Sequence, residues 1–407
     1  MIEIDPREAG LSPDRLKRID AFLAERYVGS NRLPCAEVVV WRGGGVAHHV
    51  LLGERDPERK APIEENTVFR IYSMTKPVTS VAFMQLVEQG LVALDEPVHR
   101  RIPEWRDLGV YAGGFMETFR TAAAQRPMLM VDLLRHTSGL TYGFQQRSNV
   151  DAAYRKLALG DVDGNGTIAG MVSELAKLPL EFSPGKHWNY SVSTDILGHL
   201  VEVISGKSLD RYFADHIFGP LGMNETGFHV RKDQAERFTS CYWAPPGTPR
   251  ILQDDAVKSR YHQPRTFLSG GGGLVSTSAD YLKFCRMLIS SGTLDGVQIL
   301  SPKTIELMTA NHLPGDSDLA DMSISLFSEA TYAGTGFGLG FAVTLDPARA
   351  LLPGSPGDFW WGGAASTYFW IDPEEELICI FMTQIMPSTA YNVRRELRTL
   401  VYSAFTD

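Results

Sequence analysis

The β-rich runs of this chain stand at its two ends, and that placement limits the fold more than any other feature. Near the N-terminus, "CAEVVVWRGGGVAHHVLLGE" gives two such runs around Gly43–Gly45, which reads as a hairpin. Toward the C-terminus, "GFGLGFAVTL", "STYFWID" and "ELICIFMTQ" read as successive strands. Pro373 and its acidic neighbours turn the chain between the last two. A helix is expected over about Ser12–Arg26, capped by Ser12 and striped by Leu16, Ile19 and Leu23. "AYNVRRELRTLVYSAF" closes the chain as another helix. The middle carries helical patterns instead: "VDLLRHT", "IAGMVSELAKL", "TDILGHLVEVISG" and "LDRYFADHIFGPLG". The expected fold is therefore α/β of the α+β kind. Residues 1–75 and 265–407 form a platform, an antiparallel sheet from both chain ends flanked by helices, and 76–264 form an inserted, mostly helical lobe.

With 407 residues, 44% hydrophobic and 21% charged, the chain has ample material for a core. Its formal net charge of −9, with no run of Lys or Arg, disfavours a nucleic-acid or anionic-membrane partner. The first residues, "MIEIDPREAGLSPDRLKRID", have no apolar segment of the signal-peptide kind. No stretch of about 18 apolar residues offers a membrane span. Cys35, Cys241, Cys285 and Cys379 are scattered, without a C-x-x-C pair. Free buried thiols and a cytoplasmic location are the expectation. No cofactor or metal is called for, and the oligomeric state is not read from the sequence.

Chemistry enters at "FRIYSMTKPVTSVAFMQLVEQG", residues 69–90. Ser73 and Lys76 stand three apart and share one helix face. Pro77 cannot sit deep in a helix, so the helix should begin close to Ser73. The serine hydroxyl then lies at a helix N-terminus, which favours negative charge. A serine alone is a weak nucleophile, and a lysine can serve as its base once burial lowers the lysine pKa. Val78, Val81, Ala82, Met84 and Leu86 surround that lysine with apolar groups. A G-x-S-x-G elbow is absent, and His48, His49 and His136 read as structural.

Two further segments complete a pattern: "FSPGKHWNYSVSTDILG", with Tyr190, and "FWWGGAASTYFWID", with Trp361-Gly362-Gly363. S-x-x-K, then Y-S-x, then W-G-G resembles the serine β-lactamase-like superfamily. The likeness is nearest to the family VIII carboxylesterases, which share the class C β-lactamase and D,D-peptidase fold. "LLRHTSGLTYG", "PLGMNETGF" and "GGGGLVSTSADYLKFC" support it, and it spans about residues 10–400 as one catalytic unit. The resemblance implies Ser73 as the acyl-forming nucleophile, Lys76 as its base partner and Tyr190 as a second proton carrier. It also implies an oxyanion hole made by the backbone N–H groups of Ser73 and Ala364. The glycines fit, because substrate must lie close against that strand.

The departures from the lactamase pattern point to substrate. Val192 stands where penicillin-recognising members carry an Asn, and Trp361 stands where they carry a cation for the drug's carboxylate. A site without that cation should prefer neutral small-molecule esters. Trp188, Trp360 and Tyr142 are expected to help wall an apolar pocket. The expectation is thus a serine carboxylesterase for short neutral esters. A β-lactamase or D-amino-acid peptidase, or an acyltransferase, would use the same residues. "DVDGNGTIAGMVSE" imitates a calcium loop through Asp161, Asp163, Asn165, Gly166 and Ile168. Its closing bidentate Glu is missing: Val172 stands there and Glu174 comes two residues late. It reads as a solvated turn, against the alternative of a weak, incomplete cation site; for the whole chain, the reading of a different class is a calcium-dependent binding module that has lost catalysis.

Overall fold

The computed structural model describes residues 1–162, 164, 166–324 and 332–406. Its main sheet takes β1 (Cys35–Arg42), β2 (Gly45–Asp56) and β3 (Ala61–Pro62) from one chain end. The other end supplies β4 (Thr335–Phe337), β5 (Ala342–Thr344), β6 (Phe359–Gly362), β7 (Tyr368–Asp372) and β8 (Leu377–Met382). The order is β4-β5-β6-β7-β8-β1-β2-β3, antiparallel throughout, so the two chain ends meet where β1 pairs with β8. That seam is buried on both faces. Ala36, Val38 and Val40 of β1 and Cys379 and Phe381 of β8 pack to one side, Val39, Ile378 and Ile380 to the other. Alternation along a strand produces this two-sided core.

The longest helices among the described residues are α1 (Pro13–Leu23), α2 (Thr75–Glu88), α3 (Ser193–Ser205), α4 (Ser278–Ile289) and α5 (Val393–Tyr402). In α1 the Ser12 hydroxyl accepts the Arg15 N–H, and Leu16, Ile19 and Leu23 are buried. The helix expected to reach Arg26 widens after Leu23 into a π-turn, Ala24–Val28. Helices α1 and α5 pack together over one face of the sheet, while α4 lies against β7 and β8 on the other. Helix α2 is central, with every residue from Thr75 to Leu86 buried, and it packs on α3. A helix buried on all sides needs no polar face. Pro77 sits at its third position, where its missing N–H costs no intrahelical bond. The segment between α2 and α3 adds Met130–Leu134, Asn149–Lys156 and Ile168–Leu175 as short helices. All four cysteines are free and buried. Among the described residues no helix is long and apolar enough to cross a membrane.

Helix α5 is held to the sheet by a buried ion pair. Arg398 donates to Asp358, just ahead of β6, and its Nε donates to the Pro353 carbonyl at 2.9 Å. The Thr344 hydroxyl donates to the other Asp358 oxygen at 2.6 Å. Both charged side chains are almost fully enclosed. Removing one member of such a pair strands the other, at a cost of about 3–5 kcal/mol. Arg398→Met is therefore expected to lower unfolding free energy by about that amount in urea titration, and adding Asp358→Asn should recover part of it. A loss below about 1 kcal/mol for the single variant would show that the pair does not anchor α5.

Candidate active site

Ser73 lies in a 3-10 turn, Tyr72–Met74, that feeds directly into α2. The turn is sharp because Tyr72 has φ 42°, a left-handed conformation that a bulky side chain rarely adopts. Strain of this kind persists only where surrounding contacts enforce it, and it gathers at functional sites. One turn on, Lys76 Nζ stands 3.1 Å from Ser73 Oγ and donates to the Gly271 carbonyl at 2.7 Å. Lys76 is only 2% exposed. Its Nζ lies 4.6 Å from the ring centre of Tyr190 and 5.4 Å from that of Tyr142. The i, i+3 spacing read from the sequence thus brings the two side chains within hydrogen-bonding distance.

The run Gly270–Gly273 is stitched to α2 by the Thr79 hydroxyl donating to Gly270 O (2.7 Å), by Lys76 at Gly271, and by Leu274 N–H donating to the Thr75 hydroxyl (3.2 Å). Side chains are excluded there. A Cβ on Gly270 would stand 2.7 Å from the Thr194 carbonyl, and one on Gly271 2.7 Å from Asp195 Oδ2. Asp195, in the first turn of α3, is a residue the sequence reading missed. Its Oδ1 accepts from the Gly271 N–H at 2.9 Å and the Ser269 hydroxyl at 2.5 Å. Burial pushes its carboxyl up, while the Lys76 charge and these two donors pull it down. The only sequence signal was an acid in the first turn of a mostly apolar helix, "TDILG".

The end of β6 closes the site from the sheet side. A Cβ on Gly363 would come 2.4 Å from Ile71 O and 2.2 Å from Thr367 Oγ1, so glycine lets this strand end lie against the Ser73 turn. The resulting cavity of about 660 Å³ is lined by Ser73, Tyr142, Trp188, Tyr190, Trp360, Trp361, Gly362, Gly363 and Ala364. The Tyr190 ring sits 5.3 Å from Tyr142 and 5.4 Å from Trp361, so the aromatic side chains form one continuous wall. Val192 does not line the cavity. It is buried behind Gly160, where a Cβ would meet Val192 Cγ1 at 2.5 Å.

Other lining residues were not foreseen. Arg155 and Arg394 place two cations at the cavity, although the W-G-G strand itself carries none. Arg155 is paired with Asp151 (2.6 Å), and Arg394 donates to the carbonyls of Gly363 (2.6 Å) and Thr367 (2.9 Å). Asp161 and Val162, from the calcium-like stretch, also border the cavity. Asp163 and Asn165 of that stretch lie outside the described residues. The histidines have structural partners. His48 pairs with Asp20 (2.7 Å), His49 with Glu37 (3.0 Å), and His136 with the Ser191 hydroxyl (3.2 Å).

Comparison with known proteins shows the family. The sequence model of the family described as Beta-lactamase matches residues 19–403. The chain belongs to the Beta-lactamase family. It is 36% identical over 358 residues to Protein Rv1367c of Mycobacterium tuberculosis (strain ATCC 25618 / H37Rv), covering 86% of each chain. It is 30% identical over 407 residues to Esterase EstB of Burkholderia gladioli, covering 95% of this chain and 94% of the relative. Among solved structures, "EstCE1, a hydrolase with promiscuous acyltransferase activity" has the same fold. Its TM-score is 0.80 at 24% identity, over 97% of this chain and 99% of that one.

His136 lies under Tyr190, ring centres 5.1 Å apart, and is 1% exposed. Burial, helped by the Lys76 charge, holds its imidazole well below the usual value, so it is neutral in the folded chain. In the unfolded chain it takes up a proton near pH 6.5. The unfolded state then binds more protons, so this contribution to stability is full above about pH 6.5 and is lost as pH falls toward the folded value. The His136 share is expected to reach about 1.4 kcal/mol per pH unit below that point. Denaturant titrations from pH 7.5 downward should show a shallower decline for His136→Gln than for wild type. Parallel declines would mean that His136 is charged in the fold.

Proposed function

We propose that this protein is a serine carboxylesterase that hydrolyses short, neutral carboxylic esters through an acyl-enzyme on Ser73, with Lys76 and Tyr190 as the proton relay. Membership of the Beta-lactamase family, with an esterase among its relatives, makes it a serine hydrolase acting on ester bonds. The observation that carries the finer assignment is the enclosed 3.1 Å approach of Lys76 Nζ to Ser73 Oγ, beneath the Tyr190 ring. Ser73 Oγ attacks the ester carbonyl and its proton passes to Lys76. The oxyanion is received by the N–H groups of Ser73 and Ala364. A proton delivered through Tyr190 leaves with the alcohol, and water, deprotonated by the same relay, releases the acid. In this reading the helical lobe, 76–264, supplies Lys76 and Tyr190, and the platform, 1–75 with 265–407, supplies Ser73 and the oxyanion strand.

Preference for neutral esters comes from the wall. Trp361 offers a carboxylate an apolar face, and the two arginines at the cavity already hold protein partners. Leaving a buried carboxylate unpaired costs free energy that a neutral ester does not lose. A second reading, acyl transfer to an alcohol, is favoured by one observation. A cavity of about 660 Å³ has room for a bulky alcohol beside a short acyl group. The two readings differ only in whether water or the alcohol accepts the acyl group.

Two outcomes are expected. Lys76→Ala and Tyr190→Phe should each lower kcat by orders of magnitude, and the double variant should lose far less than the product of the two, because groups of one relay are not additive. Multiplicative losses would assign one of them a purely structural role. Second, kcat/KM for p-nitrophenyl acetate or butyrate should far exceed that for nitrocefin, with a graded decline as the acyl chain lengthens, since apolar pockets discriminate by only about 1–3 kcal/mol per methylene. Equal efficiency on nitrocefin would replace the esterase assignment with a β-lactamase.

A further inference from the structure

The mechanism gives no part to the two arginines at the cavity; Arg155 is held by Asp151, and Arg394 stands on the first turn of α5. Its Nη2 donates to the Gly363 carbonyl at 2.6 Å and to the Thr367 carbonyl at 2.9 Å. Gly363 O also accepts the Ser366 N–H at 3.1 Å. The Gly363 carbonyl and the Ala364 N–H belong to the same peptide unit. In a planar trans peptide the two point in opposite directions, so fixing the carbonyl fixes the N–H. The Ala364 N–H has no acceptor among the described residues, and Ala364 lines the cavity beside Ser73.

We propose that Arg394 is a positioning residue for the oxyanion hole: it holds the Gly363 carbonyl from behind, so that the Ala364 N–H faces the reacting carbonyl oxygen and donates more strongly to it. This rests on the assignment of Ala364 N–H as an oxyanion donor. A charge-assisted hydrogen bond to the carbonyl is short and strong, and it draws electron density from the N–H of the same peptide. The guanidinium reaches its place only because residue 362 is glycine, as a Cβ there would stand 2.8 Å from Arg394 Cζ. Its helix is pinned one turn later, where Arg398 holds Asp358 just ahead of β6. The same strand and the same helix thus carry both the hole and its brace. An arginine that instead bound an anionic arm of the substrate would matter only for anionic esters.

The test uses full-length enzyme with Arg394→Met, Arg394→Gln and Arg394→Lys, a neutral p-nitrophenyl ester and its ω-carboxylate counterpart. Two quantities are read: the split between kcat and KM, and the infrared carbonyl stretch of a slowly released, 13C-labelled acyl group on Ser73. Removing a whole oxyanion donor costs about 10²–10³ in kcat, so loss of its brace should cost about tenfold to a hundredfold, on the neutral ester, with KM little changed. The acyl carbonyl stretch should move to higher wavenumber in Arg394→Met and Arg394→Gln, and partly return in Arg394→Lys. If Arg394→Met does not fold, the other two variants read the same quantities. An unshifted stretch, unchanged kcat on the neutral ester, or a loss confined to the carboxylate ester would each overturn the proposal. Absence of any acyl group on wild-type Ser73 would overturn the esterase assignment itself.

Discussion

Everything in this molecule depends on two backbone segments being allowed to touch. Ile71, two residues before the serine, and Thr367, just past the W-G-G strand, are 296 positions apart, yet the Thr367 hydroxyl donates to the Ile71 carbonyl at 3.4 Å. No side chain fits between them at Gly363. The sheet makes this meeting possible by drawing β1 and β8 together from opposite chain ends, which sets β6 over the turn that carries Ser73. A hydrolase needs its nucleophile and its oxyanion donors within about 3 Å of one reacting group. In the proposed mechanism that requirement falls on a contact between remote parts of the chain, which makes the rigidity of the sheet part of the chemistry.

The second dependence is electrostatic. A lysine amino group removed from water needs partners that replace the solvent. Lys76 has the Gly271 carbonyl and the Ser73 hydroxyl as hydrogen-bond acceptors, the Tyr190 and Tyr142 rings beside it, and the Asp195 charge close behind Gly271. Asp195 spends its hydrogen bonds on fixing the loop that presents that carbonyl. The loop is glycine-rich because α3 passes too close for side chains. Positioning of the lysine is thus distributed over α2, α3 and the 270–274 loop.

What the sequence made legible was local. Ser73 and Lys76 stand one turn apart, so helix periodicity alone places them together, and the continuous β-rich runs that form β1, β7 and β8 mark a sheet. Tyr190, Trp361 and Ala364 were named from motif order, which stands in for tertiary contacts that periodicity does not encode, and all three line one cavity with Ser73. Contacts with no motif were missed. Asp195 and Arg394 act through backbone groups of distant loops, and nothing in their own neighbourhoods reports this. The cations at the cavity were missed because Arg394 arrives from the closing helix rather than from the W-G-G strand. Val192 was expected at the pocket from its motif position, but the chain at Gly160 covers it. The stretch around Asp161 read as a solvated turn, and its position at the cavity edge comes from packing that its composition does not reveal.

The central claim is that acyl transfer runs through one serine. Rapid acid quench during turnover of p-nitrophenyl butyrate, then intact-mass measurement and peptide mapping, tests it most directly. The account predicts one butyryl group per chain, on the peptide containing Ser73 and absent from Ser73→Ala. A butyryl group on any other residue, or full turnover by Ser73→Ala, would contradict it.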